Sequence, residues 1–317
     1  GKRVLQSVAM VAMAGAAFVA IFAFAIPFPL IVAGAGVVGF LGGIMRPDSF
    51  VVLKSKQVNA DSEGSVIEAM EANGGLDHTR PSLARVALLV VVFGALWLGP
   101  IALLMANLGP ANVFSQQAVF FSKLAVVTFG GAYAVLAYMA QQAVEAFGWM
   151  TPKEMLDGLG LAETTPGPLI LVTQFVGFLG AYRHASGMDP VLAGVIGTVV
   201  TLWVTFTPCF LWIFLGAPYV EKLRDNVHIS ASLSGITAAV VGVVLNLAVW
   251  FGLHVSFASI GAISKLGMTL PIPHLATADL GSIGLTVLAA AMLLWWHQGV
   301  FRTLLACAVL GMGLSLT

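Results

Sequence analysis

Residues 163–182 read ETTPGPLILVTQFVGFLGAY. The Thr165-Pro166-Gly167-Pro168 turn cannot be helical, because each proline withholds a backbone N–H and pushes the residue before it away from α geometry. The chain after it is apolar, and Pro168 suits the first position of a helix. Such a helix opens with the N–H groups of Leu169, Ile170 and Leu171 unpaired and facing back toward Thr164 and Thr165. A short polar helix is expected just upstream, over 153–160, so the turn joins a polar segment to an apolar one.

Outward from this point the chain is dominated by apolar runs. A bilayer core about 30 Å thick needs ~20 residues of apolar helix to cross it. Spans are expected near 4–24, 28–45, 83–105, 168–182, 190–215, 231–254, 282–298 and 301–316. The stretch 112–147 differs. Its apolar part, 118–129, stops at Gly130-Gly131, and a helical run carrying Tyr133, Tyr138, Gln141, Gln142 and Glu145 follows. That pattern predicts a broken or re-entrant element, which is tolerated only where protein or a water-filled cavity surrounds it. The fold class is therefore all-α, a polytopic transmembrane helical bundle.

Composition agrees: 59% of the 317 residues are hydrophobic and 9% are charged, which excludes an ordinary soluble domain. Ten of the twenty-eight charges fall between Arg46 and Arg80. Residues 46–82 thus read as a polar cytoplasmic linker between an N-terminal hairpin, 1–45, and a membrane region, 83–317. A net charge of zero gives no footprint for nucleic acid. Cys209 and Cys307 stand singly in apolar runs and read as small core residues. His254, His274 and His297 lack ligand spacing, so no metal or cofactor is expected. No nucleophile, metal or cofactor constellation points to an enzyme.

Basic residues set the orientation. Lys2 and Arg3 before the first span, and Arg46, Lys54, Lys56, Arg80 and Arg85 after the second, place both ends of that hairpin in the cytoplasm. Counting onward, the 183–189 loop falls outside, the Glu221–Arg224 loop and Arg302 inside, and Thr317 outside. An offset of 273 pairs Phe28 with Phe301, Ala33 with Ala306, Ala35 with Ala308 and Leu41 with Leu314. The first and last hairpins then form an inverted pair, as in many secondary transporters. On that register, 83–317 is a complete repeat and 1–45 the tail of another, N-terminally incomplete one.

The residues with chemistry to offer gather at the two interruptions. The helix start after Pro168 carries roughly half a positive charge and is a ready anion site. Thr164 and Thr165 add neutral donors, Gly167 and Leu169 backbone, and Gly130, Gly131 and Tyr133 line the other break. Together these suit a tetrahedral dianion. Pro166 and Pro168 shape the break. Lys123 could attract the anion, and Glu145 or Glu163 could carry a coupled proton, since charges within the membrane are costly enough to be functional candidates. An ordinary interhelical loop at Pro-Gly-Pro and a packing contact at Gly-Gly remain the competing reading, and each of the three charges could equally sit in a structural ion pair. Arg183 and His184 are expected at the interface as anchors, glycines 34, 36, 39, 43, 177 and 180 at close helix contacts, and Trp97, Trp203, Trp250, Trp295 and Trp296 in belts or packing.

The run FGGAYAVLAYMAQQAVEAFGWM at 129–150, followed by DGLGLAETTPGPLILVTQFVGF at 157–178, closely resembles the second-half signature of the chromate ion transporter family, long-chain type. The IPFPLIV hairpin resembles the end of that family's first half. The resemblance implies export of chromate, with sulfate as a competing dianion, in the inner (plasma) membrane, and resistance to chromate. It also implies a lipid bilayer as surroundings, with a homodimer or a separate first half as partner. Uptake of sulfate or another oxyanion, or a non-transporting half that needs a first repeat, stays open as an alternative.

Overall fold

The computed structural model describes residues 5, 7–46, 50, 83–127, 132–164, 169–185, 187–217, 226–265 and 267–315. Lys2 and Arg3, nearly all of the 46–82 linker, the 221–224 loop and Thr317 lie outside the described residues. The helices are α1 (Val8–Phe22), α2 (Phe28–Met45), α3 (Leu83–Leu108), α4 (Val113–Val127), α5 (Ala132–Gln141), α6 (Pro152–Thr164), α7 (Val172–Arg183), α8 (Pro190–Gly216), α9 (Val227–Ser256), α10 (Leu280–Leu294) and α11 (Val300–Ser315). A π-turn, Gln142–Ala146, extends α5, and a 3₁₀ turn, Leu169–Leu171, precedes α7.

Each expected span coincides with a helix, and α2 does so residue for residue. Among the described residues, α2, α3, α8 and α9 are long and apolar enough to cross a membrane. The others are shorter. The 15 described residues of α4 rise about 22 Å. The chain is an all-α polytopic membrane protein.

One addition to the expected helices is an antiparallel hairpin, β1 (Ile260–Lys265) with β2 (Met268–Pro273). It lies where only a connection between spans was expected. Gly267, at φ +77, makes its turn.

The chain divides into two compact units, residues 1–18 with 26–244, and 19–25 with 245–317. In the second, the backbone N–H of Thr269 donates to Ala23 O at 2.7 Å. There too Asp279 caps α10, accepting from Ser282 N at 3.1 Å and from Ser282 Oγ at 2.8 Å.

The core of the first unit is built on glycine. Along α7 and α8, Gly177 lies against Thr201 and Gly197 against Ala181, and a Cβ on Gly177 would also sit 3.2 Å from Gly197 O. Gly180 abuts Trp149, and Gly194 abuts Phe178. A second seam joins α2 to α9, where a Cβ on Gly39 would lie 2.7 Å from Ala231 O and one on Gly43 2.5 Å from Ala231 Cβ. Ser232 Oγ donates to Gly36 O at 2.9 Å across the same seam. Small residues let helix backbones approach where lipid supplies no hydrophobic drive to pack them. Of the six glycines expected at such contacts only Gly34 departs, with nothing within 4 Å of its would-be Cβ.

The first and last hairpins share their local geometry. α1 and α10 are each 15 residues long, and each is followed by a five-residue connection whose third residue is left-handed: Ala25 and His297, both at φ 49. These landmarks align at an offset of 272, one less than the residue identities gave. Matches among Ala, Leu and Phe fix register weakly in an apolar helix, whereas a left-handed position is fixed by the turn.

Gly177→Val should destabilise the protein by about 2 kcal/mol, the cost of overpacking a tight contact, read as a lower thermal midpoint in detergent. Gly94→Val, on a helix surface with nothing within 4 Å, should leave that midpoint unchanged.

Candidate functional site

Helix directions follow from pairwise contacts. α3 and α4 are antiparallel across the short 109–112 turn, with Trp97 Nε1 donating to Ser122 Oγ at 2.8 Å. Along α3, Phe93 meets Phe214 and Leu96 meets Trp203, so α8 runs against α3. The glycine seam makes α7 antiparallel to α8. Hence α4 runs with α8 and against α7.

Gln117 ties these three helices together. Its Nε2 donates to Gly177 O at 2.8 Å, and the side chain is completely buried. Its Oε1 has no conventional partner among the described residues. It rests on Gly197, where a Cβ would come within 2.9 Å of it, the close Cα–H···O approach that recurs at helix crossings. From this pin, ten residues of α4, about 15 Å, lead to its end at Val127, and eight residues back along α7 and its 3₁₀ turn, about 13 Å, lead to Leu169. The last described residue of α4 and the first of the α7 segment therefore stand at one depth. Ten residues along α8 from Gly197 reach Thr207, so buried Thr205, Thr207 and Pro208 share that depth.

Of the residues expected at the site, Gly130, Gly131, Thr165, Pro166, Gly167 and Pro168 lie outside the described residues. Their neighbours bracket them. Tyr133 is in the first turn of α5, Glu163 and Thr164 end α6, and Leu169 opens the 3₁₀ turn. The helix after the break thus begins as 3₁₀, with Thr173 Oγ donating to Ile170 O at 2.6 Å, and becomes α only at Val172. Lys123 is exposed on α4 one turn before Val127. Glu145 lies exposed in the π-turn, at the opposite end of the α5 segment from Tyr133 and about 18 Å from it by helix rise.

The end of the site region away from the interruptions is locked. Trp149, 1% exposed, stacks on Phe147 with centroids 4.4 Å apart and packs against Phe120 and Phe121. Thr151 and Glu154 form a capping box: Thr151 N donates to Glu154 Oε2 at 2.9 Å, and Glu154 N to Thr151 Oγ at 3.3 Å. Arg183, at the end of α7, makes a two-pronged pair with Glu154, one prong being Nη1 to Oε2 at 2.8 Å. The Arg183 guanidinium, then the Thr151 N–H, hold the Glu154 carboxyl down at about 2. So α6 and α7 form a hairpin clamped at its base.

A cleft of ≈ 550 Å³ reaches the end of α4, but Val32, Val37, Phe40, Val126, Val127 and Ile236 line it, with Ser232 as its hydroxyl. A dianion would lose its hydration there with almost nothing in return. Sequence reasoning missed Gln117 and the Thr201, Thr205, Thr207 and Pro208 group. Paired glutamines inside an apolar helix, and TLWVTFTPC at 201–209, were the available signals.

These features define a multi-pass helical membrane protein. The chromate transporter family model matches residues 115–312, and the chain belongs to that family. It is 32% identical over 171 residues to a probable chromate transport protein of Synechococcus elongatus, covering 51% of this chain and 40% of that one. It is 35% identical over 167 residues to a chromate transport protein of Pseudomonas aeruginosa (51% and 36%), and 32% over 132 residues to one of Cupriavidus metallidurans (42% and 30%). The chain thus spans well under half the length of these relatives. No solved structure matches it.

The Glu154 pair gives a pH test. With the folded carboxyl at about 2 and an unfolded one near 4.3, its stabilisation is complete above about pH 5 and is lost as pH falls from ~4.3 toward 2. The thermal midpoint should therefore drop between pH 5 and pH 3 more in the native protein than in Glu154→Gln; equal drops would contradict this role.

Proposed function

We propose that this protein carries a chromate- or sulfate-like dianion out of the cytoplasm across the inner membrane, binding it between the Gly130-Gly131 break and the Thr164–Leu169 break. The observation that carries the reading is the common depth of Val127 and Leu169 on either side of the Gln117–Gly177 bond. Two chain interruptions at one level can offer backbone N–H groups to a single solute, and the threonine hydroxyls of Thr164 and Thr165 complete a neutral set of donors.

Energetics favour export. Each charge moved through 100 mV is worth about 2.3 kcal/mol, so an interior-negative potential drives a dianion outward with roughly twice that. On this reading Lys123, exposed on α4, draws the anion toward the breaks. Glu163, beside Thr164, is better placed than Glu145 to couple a proton to the anion. The matching hairpins at 8–45 and 280–315 support an inverted repeat, with 83–317 as one repeat and 46–82 as the linker before it. Its likeness to chromate transport proteins supports a transporter rather than an enzyme.

In the intact protein, Thr164→Val with Thr165→Val should reduce chromate efflux from loaded cells at least tenfold, the equivalent of about 1.4 kcal/mol of lost binding, at unchanged protein level. Normal efflux would rule out this site. Stimulated uptake of labelled sulfate without any chromate efflux would reverse the direction.

A further inference from the structure

Pro100 lies inside α3, four residues beyond Leu96. It has no N–H to give to the Leu96 carbonyl, and a carbonyl left open in hydrocarbon must find another donor. That donor comes from the next helix: Trp203 Nε1 donates to Leu96 O at 2.7 Å. One residue on, the Trp97–Ser122 bond ties the same turn of α3 to α4. This turn of α3 is therefore held from two sides.

α8 has a proline of its own. Pro208 gives no N–H to the Val204 carbonyl, and around it Thr205, Thr207 and Cys209 donate to the carbonyls of Thr201, Trp203 and Thr205 at 2.7, 2.7 and 3.2 Å. Back-bonding of this kind at a proline loosens and bends a helix. Before Thr201, α8 is fixed to α7 and α4 by glycine contacts. Beyond that point a cleft of ≈ 420 Å³, lined by Phe93, Leu96, Trp203, Phe206 and Phe210, opens along the seam with α3, which Trp203–Leu96 and Phe214–Phe93 bridge. The second half of α8 thus has a weak point at Pro208 and an open cleft on one side.

We propose that the Trp203–Leu96 bond is a latch that sets the lean of α8 against α3, and with it the placement of Thr205 and Thr207 at the depth of Val127 and Leu169. Trp203 is a positioning residue acting through α8. The consequence for transport rests on the site proposed above, whereas the latch itself does not.

The test uses the intact protein in lipid nanodiscs as W203F, P100A and W203F/P100A, with amide hydrogen exchange over 205–212 and the thermal midpoint as readouts. W203F keeps a ring and removes the donor. Exchange should rise about tenfold, the protection of roughly one hydrogen bond, and the midpoint should fall. Adding P100A gives Leu96 O an N–H within its own helix, so the midpoint should recover while exchange stays fast. Recovery of both would mean that the indole only satisfied a carbonyl, and the latch would be wrong. Unchanged exchange in W203F would also sink it. Should W203F fail to fold, P100A alone decides: exchange over 205–212 rises without loss of stability, or the proposal fails. Chromate flux into proteoliposomes should fall several-fold in W203F at unchanged half-saturation. Raised exchange with normal flux would remove the positioning role and leave the anion site to the threonine variants.

Discussion

In hydrocarbon no water is available to a backbone N–H or C=O, so every interrupted helix in a membrane needs protein at its broken end. This constraint explains the arrangement of α4, α7 and α8. The α4 and α7 segments run antiparallel to each other beside the full-length α8. Glycine at 177, 180, 194 and 197 brings the three backbones close together, and Gln117 joins two of them with a bond to main chain. The cost is a buried amide oxygen without a conventional partner among the described residues, worth about 1–3 kcal/mol where nothing compensates. Such a cost fits a residue that sets register between helices rather than one chosen only for stability.

The same constraint decided what the sequence could reveal. Span positions were legible because apolar length is nearly sufficient evidence for a membrane helix, and 28–45 was read to the residue. Gly-Gly and Pro-Gly-Pro stand out because they interrupt otherwise apolar text, and both fall outside the described residues. The β1–β2 hairpin was not legible: its strands are six residues each, with Pro271 and Pro273 in the second, and six residues of imperfect alternation do not separate strand from loop. The clamp between Glu154 and Arg183 joins residues 29 apart, and no local pattern encodes such a pairing. Gln117 was passed over for a related reason, since its partner is a backbone carbonyl sixty residues away and carbonyls leave no trace in a sequence.

Prolines behave alike in both long helices. Pro100 and Pro208 each leave a carbonyl four residues upstream without its usual donor. For Leu96 the answer is an indole from a neighbouring helix; near Val204 the hydroxyl and thiol back-bonds go to the carbonyls of Thr201, Trp203 and Thr205 instead. The first links two helices, and the second stays within one. A tryptophan read from sequence alone as belt or packing therefore does a second job that hydropathy cannot register, since the ring faces lipid while its N–H faces protein.

The choice of donors bears on turnover. A site made of two or three cations would hold a dianion strongly in a low-dielectric setting, and release would then limit the rate, because conduction needs binding weak enough to leave. On the proposed reading the donors are backbone N–H groups and threonine hydroxyls, with Lys123 to the side on α4. Neutral donors give up the ion more readily, and because they belong to the ends of broken helices, their aim changes whenever those helices shift. Selectivity for a tetrahedral dianion would then come from the spacing between the two interruptions, and that spacing is set at a distance by the Gln117 bond and the glycine contacts beneath it.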